Sequence, residues 1–222
     1  MEFNELKLLL FEPKKFFKLK KNESSHFTIL LNLFIFVIIN SILYNLLEIF
    51  TSNKYGFNPF IFIIFIIIMI IFILIFSIIQ TLFSSYLESA FNHLFVMLFK
   101  TKYTFLKTFK PTTYSKIVTI LYTIILLPFI YMIKPFIESK QFNNTFFILI
   151  TLIFIILIST LIHSFYVKAI GISHYHKLSF AKSLWSAILG NLCILVITLG
   201  LLFLIGMIFV IIFGSKIPNV IF

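Results

Sequence analysis

The chain has 222 residues, 61% of them hydrophobic and 11% charged, and its 18 basic residues outnumber seven acidic ones. So few charges cannot cover so much Ile and Phe surface, which excludes a soluble globular domain and leaves a single membrane domain as the natural reading. Every basic residue is lysine, and without the bidentate fork of arginine a nucleic-acid partner is not expected.

Residues 1–26 form the first element, a cytoplasmic arm. Lys7, Lys14, Lys15, Lys18, Lys20 and Lys21 alternate there with Leu6, Leu9, Leu10, Phe11, Phe16, Phe17 and Leu19. Pro13 interrupts the segment, so two short amphipathic helices are expected. Such an arm lies in the headgroup region of an anionic leaflet, where each lysine contributes about 1 kcal/mol.

Five long apolar stretches follow, near 27–50, 59–80, 117–133, 146–167 and 185–213. Roughly 20 apolar residues of helix span the hydrocarbon core, and in lipid a helix satisfies its own backbone hydrogen bonds. The first stretch carries a polar seam of Ser41, Tyr44, Asn45 and Glu48, suited to interhelical hydrogen bonds. The second includes seventeen consecutive residues, Phe60 to Phe76, without a polar side chain. Its hydrophobic character continues to Phe99, and a helix over 59–99 would measure roughly 60 Å, about twice the hydrocarbon thickness. The span is therefore placed at 59–80, with a helical extension to 99 along the cytoplasmic interface.

That extension bears a stripe of Gln80, Ser84, Glu88 and Asn92 at i+4 spacing, with His93 beside it. A carboxylate embedded in a membrane is a functional candidate. At the interface it is a solvated residue on an amphipathic helix, and the sequence favours this second description. A lysine-rich loop, 100–116, leads to the third stretch, where Pro128 is expected to introduce a kink. The fourth stretch is followed by a loop over 168–184. His163, His174 and His176 near it fall short of the three or four ligands of a zinc site, so no metal is expected. In the fifth, Gly190, Gly200 and Gly206 allow close backbone approach, and residues 215–222 form a short outer tail.

The lysines fix the expected topology. Fourteen fall in the arm and in the loops over 100–116 and 168–184, and four in the intervening loops and the tail. By the positive-inside rule this places the N-terminus in the cytoplasm and the C-terminus outside. The fold class is thus an all-α membrane protein of five transmembrane helices with an amphipathic N-terminal arm. No phosphate loop, H-E-x-x-H helix or G-x-S-x-G elbow occurs, so neither catalysis nor a cofactor is expected.

Several segments resemble the Yip family, the Rab/Ypt-interacting membrane proteins and their prokaryotic relatives. Pro13, Phe16 and Phe17 are similar to the proline-plus-aromatic entry of prokaryotic members. Asn92-His93-Leu94-Phe95, leading through Phe105 and Thr108 to Tyr114-Ser115, resembles the link between spans two and three. Lys168 to His174, with Gly171 inside it, resembles the loop before the last span. The resemblance implies a multispanning protein of the membrane, for a prokaryotic member the cell membrane, without catalytic activity. Eukaryotic relatives act in vesicle trafficking and contact small GTPases.

The resulting expectation is a membrane adaptor or scaffold that works by binding. Anionic lipids, an acidic protein at the cytoplasmic face and a second copy of the chain are the partners considered. The contact lysines are Lys14, Lys15, Lys18, Lys20, Lys21, Lys100, Lys102, Lys107 and Lys110. The alternative is a small transporter or lipid-translocating protein that uses the Gln80–Asn92 stripe as a polar path. Which way that stripe points discriminates between them.

Overall fold

A computed structural model describes residues 1–23, 25–51, 59–99, 103–140 and 142–214. The described residues are helical apart from short connections. They form α1 (Phe3–Phe11), α2 (Pro13–Leu19), a single 3-10 turn (Lys20–Asn22), α3 (His26–Thr51), α4 (Pro59–Leu98), α5 (Leu106–Ser139), α6 (Asn144–His176) and α7 (Phe180–Gly214). Five of these, α3 to α7, are long and apolar enough to cross a membrane.

The arm breaks where its proline sits. Pro13 occupies the first turn of α2, where its missing N–H is no loss, and it holds Glu12 outside the helical region at φ −134°, ψ 59°. Glu2 and Glu5 form a capping box at the start of α1. The second long helix runs unbroken to Leu98, and α5 stays helical through Pro111, Pro128 and Pro135.

Two segments expected as loops are largely helical. α5 begins at Leu106 rather than near 117, and only Lys177 to Ser179 separate α6 from α7. The polar residues over 108–115 are buried: Thr108, Lys110, Thr112, Thr113 and Ser115. Two of the hydroxyls are satisfied backwards along their own helix, Thr112 Oγ1 on the Thr108 carbonyl at 2.9 Å and Ser115 Oγ on that of Thr112 at 2.8 Å.

α5 lies at the centre, packed along α6 and against α3 and α4, and α7 fits between α4 and α6. The arm helices α1 and α2 close the end of the bundle where the lysines gather, called here the lysine end. Leu9, Phe16 and Phe17 are wholly buried there with Ile29, Leu33, Phe109, Tyr114, Ile117 and Tyr175. A smaller cluster of Ile133, Phe146 and Leu149 serves the opposite end. The outward faces of α6 and α7, including Phe154, Ile162, Leu199 and Phe203, stay uncovered by the chain. Exposed apolar surface of this extent marks a lipid-facing protein.

Candidate functional site

The amphipathic arm does not lie free for the membrane surface, because Leu9, Phe16 and Phe17 are taken up by the bundle, while Phe3, Phe11 and Leu19 stay exposed. Phe16 meets the Tyr114 ring edge-on at 4.9 Å, and Phe17 meets Tyr175 at 5.8 Å. The arm is also bonded through its backbone. Tyr175 Oη donates to the Phe17 carbonyl at 3.1 Å, and His163 Nε2 lies 2.9 Å from that of Leu10. Since a carbonyl only accepts, His163 donates from Nε2, and in the neutral ring Nδ1 accepts from Tyr122 Oη at 3.1 Å. Gly171 lets α6 approach: a methyl group there would overlap Pro111 and fall 2.7 Å from the Phe17 ring.

Tyr114 fixes the arm's exit. Its hydroxyl donates to Glu23 Oε2 at 2.7 Å and accepts from Asn32 Nδ2 at 3.4 Å. Thus Phe16, Phe17, Tyr114 and Gly171 are joined in one tightly packed junction, and Pro13 is buried at the start of α2. Ser115 is buried next to Tyr114. His174 lies apart, at the edge of a basic cup.

That cup, of about 660 Å³, opens at the lysine end. Lys18, Lys21, Lys107, Lys110 and Lys177 line it together with His174, Tyr103 and one carboxylate, Glu23. Lys107 sits 3.9 Å over the Tyr103 ring. Of the nine lysines expected to contact lipid or partner, Lys14, Lys15, Lys18 and Lys21 are exposed. Lys15 pairs with Glu12. Lys20 pairs with Glu5 at 2.8 Å; burial raises the Glu5 carboxyl, but the hydrogen bond and charge of Lys20 outweigh it and leave the group below its ordinary range.

Lys110 departs from expectation. It is 3% exposed and donates to the carbonyls of Lys20 and Lys21 at 3.1 and 3.4 Å. It caps the arm's last turn instead of standing free. Lys100 and Lys102 lie outside the described residues.

The polar stripe of α4 also differs from the favoured solvated face. Glu88 points between the helices and is held by two lysines, Lys168 through Oε1 and Lys116 through Oε2 at 3.4 Å. Lys116 also donates to Ser84 Oγ at 2.7 Å. These groups, with Thr81, Ser115, Thr119, Ser164 and Asn191, surround a cavity of about 360 Å³ among α4, α5, α6 and α7. The physical reason is pairing: a carboxylate at this depth gains more from two ammonium groups than from one-sided solvation.

The stripe is not one continuous face of the cavity. Gln80 is exposed. Asn92 is wholly buried against α7, where a methyl group on Gly190 would lie 2.9 Å from its backbone nitrogen. His93 turns toward α5 and α6, with Thr108 Oγ1 placed between its Nδ1 (2.9 Å) and Nε2 of His176 (2.8 Å). One hydroxyl proton serves only one of them, so the other histidine donates.

Sequence reasoning did not assign Lys116, Lys168, Tyr175 or His163 to a site. The signal for the first two was depth. Glu88 lies ten residues before the end of α4, Lys116 ten after the start of α5, and Lys168 eight before the end of α6. His163, His174 and His176 face three different neighbourhoods, and no group of three metal-ligating side chains occurs among the described residues.

The fold and these sites define a multispanning, all-helical membrane protein. The family model described as Yip1 domain matches residues 7–204, and the chain belongs to that family. No curated protein and no solved structure matches it.

Proposed function

We propose that this protein works by binding, without catalysis, as a membrane adaptor or scaffold whose lysine end holds anionic lipid headgroups. The observation that carries the reading is the basic cup. Five lysines line it against the single carboxylate of Glu23, which already accepts from Tyr114. On α1 Phe3 and Phe11 stand 81% and 76% exposed, as suits a surface that dips into the headgroup region. The lysine distribution supports a cytoplasmic position for this end.

The test is retention of phosphatidylglycerol over phosphatidylcholine by the full-length protein in neutral detergent, read by native mass spectrometry. Joint substitution of Lys18, Lys21 and Lys177 by glutamine removes about 1 kcal/mol per lysine. The expected loss of preference is one to two orders of magnitude at low salt. Unchanged preference in the triple variant sinks the reading.

The inward turn of Ser84 and Glu88 favours a second reading, transport or lipid translocation along the stripe. Asn92 packed on Gly190 closes the stripe, so passage requires α4 and α7 to part. Lipid or solute movement in reconstituted vesicles, abolished by Glu88→Gln, supports that reading, and its absence removes it.

A further inference from the structure

The junction among α4 to α7 holds two ammonium groups and one carboxylate. Its other lining side chains, Thr81, Ser84, Ser115, Thr119, Ile120, Ser164 and Asn191, are neutral. One positive charge is therefore left over in a cavity lined by four membrane helices, where an unpaired charge is costly. Both lysines are well covered, the Lys168 side chain 4% exposed and Lys116 18%.

The donor inventory gives the ligand's chemistry. Four of the hydroxyls send their protons into backbone carbonyls: Ser84 to Thr81, Ser115 to Thr112, Thr119 to Ser115 and Ser164 to Leu161. The Asn191 amide, with its nitrogen 3.0 Å from Glu88 and its oxygen 3.3 Å from Lys168, is engaged on both sides. An ammonium has three N–H groups. Lys168 uses one on Glu88 and one on Asn191, and Lys116 uses one on Ser84 and one on Glu88. Each lysine retains one N–H not taken by an oxygen or nitrogen, with Lys168 also 5.1 Å over the Phe165 ring, and these are the cavity's remaining charged donors.

We propose that the cavity between Lys116 and Lys168 is a binding site for a singly charged oxyanion, a carboxylate or a phosphate group. Such a ligand neutralises the surplus charge and takes the two spare N–H groups. The volume of about 360 Å³ is room for roughly ten water-sized volumes, enough for one such group with solvent. Glu88 then acts as a spacer that keeps the two ammonium groups charged and apart. The same oxyanion chemistry is offered by the phosphodiester of an anionic lipid and by a small free anion. This site is separate from the basic cup, and its evidence does not depend on the cup binding lipid.

The experiment uses purified full-length protein in neutral detergent, with acetate or inorganic phosphate titrated at constant ionic strength and Tm as readout. A parallel sample is exposed to phosphatidylglycerol and examined by native mass spectrometry. A saturable rise in Tm with a free anion, or one tightly retained anionic lipid, supports the site and identifies the source. Either signal weakens at least about tenfold in Lys116→Met, the loss expected for a charge-assisted hydrogen bond. It survives in the Lys18, Lys21 and Lys177 glutamine variant. Glu88→Gln supplies a variant of opposite sign: it leaves two positive charges and tightens anion binding. The proposal is overturned if neither anion nor lipid responds to Lys116→Met, or if Glu88→Gln abolishes binding in a protein that remains folded.

Discussion

Tyr114 shows how much one side chain joins. It packs on Phe16, donates to Glu23 and accepts from Asn32, linking arm, α3 and α5. Removing its hydroxyl in Tyr114→Phe leaves ring packing intact but strips a buried bond to a charged acceptor. We expect a loss of about 1.5–3 kcal/mol, read as a lower Tm in detergent. An unchanged Tm means that the Glu23 contact contributes nothing. At this scale the sequence was only partly legible. Phe16, Phe17, Tyr114 and Gly171 stood out as resembling a family, yet nothing in their spacing brings residues 17 and 171 together. Lys110 read as solvated because a lone lysine gives no hint that backbone carbonyls 90 residues away await it.

Among the helices, the ends carry the informative chemistry. α6 begins with Asn143, whose side chain accepts from the Phe146 amide at 3.1 Å. α5 and α6 both end on a lysine in the left-handed region, Lys140 at φ 54° and Lys177 at φ 52°. A side chain there is strained, and glycine is the usual occupant. Lys140→Gly is expected to raise stability by about 1 kcal/mol, visible as a higher Tm; a lower Tm contradicts this account of the turn. The five long helices were legible because continuous apolar runs leave no other structure. The starts of α5 and α7 were not. Thr and Lys over 106–116 read as loop residues, since a sequence does not show hydroxyls returning to their own helix or lysines finding partners inside. Depth counted from helix ends matches Glu88 with Lys116 and Lys168, but only once those ends are known.

Across the whole molecule, the lysine end is the fixed part. The aromatic junction, the arm and the Glu88 pairs lie within it, whereas the second half of α7 is uncovered by the chain. Docking of the arm rests on the space above Gly171, where Pro111 and Phe17 leave no room for a side chain. In Gly171→Leu we expect the arm to come away, so that trypsin cleaves at Lys14, Lys15 and Lys18 at least about tenfold faster than in the parent. Equal cleavage shows that the arm is held without this contact. The anionic-lipid preference tests the same end from outside, because an undocked arm no longer shapes the cup.

The arm's partners also impose an order on biosynthesis. Residues 3–19 leave the ribosome well before His163, Gly171 and Tyr175, on which they dock. At ordinary elongation rates that interval is on the order of ten seconds. Throughout it Phe17 lacks the α6 surface of Gly171 and Tyr175 that completes its cover. An amphipathic, lysine-studded segment is suited to waiting on the bilayer surface, and the nascent chain then trades that lipid shelter for the finished bundle.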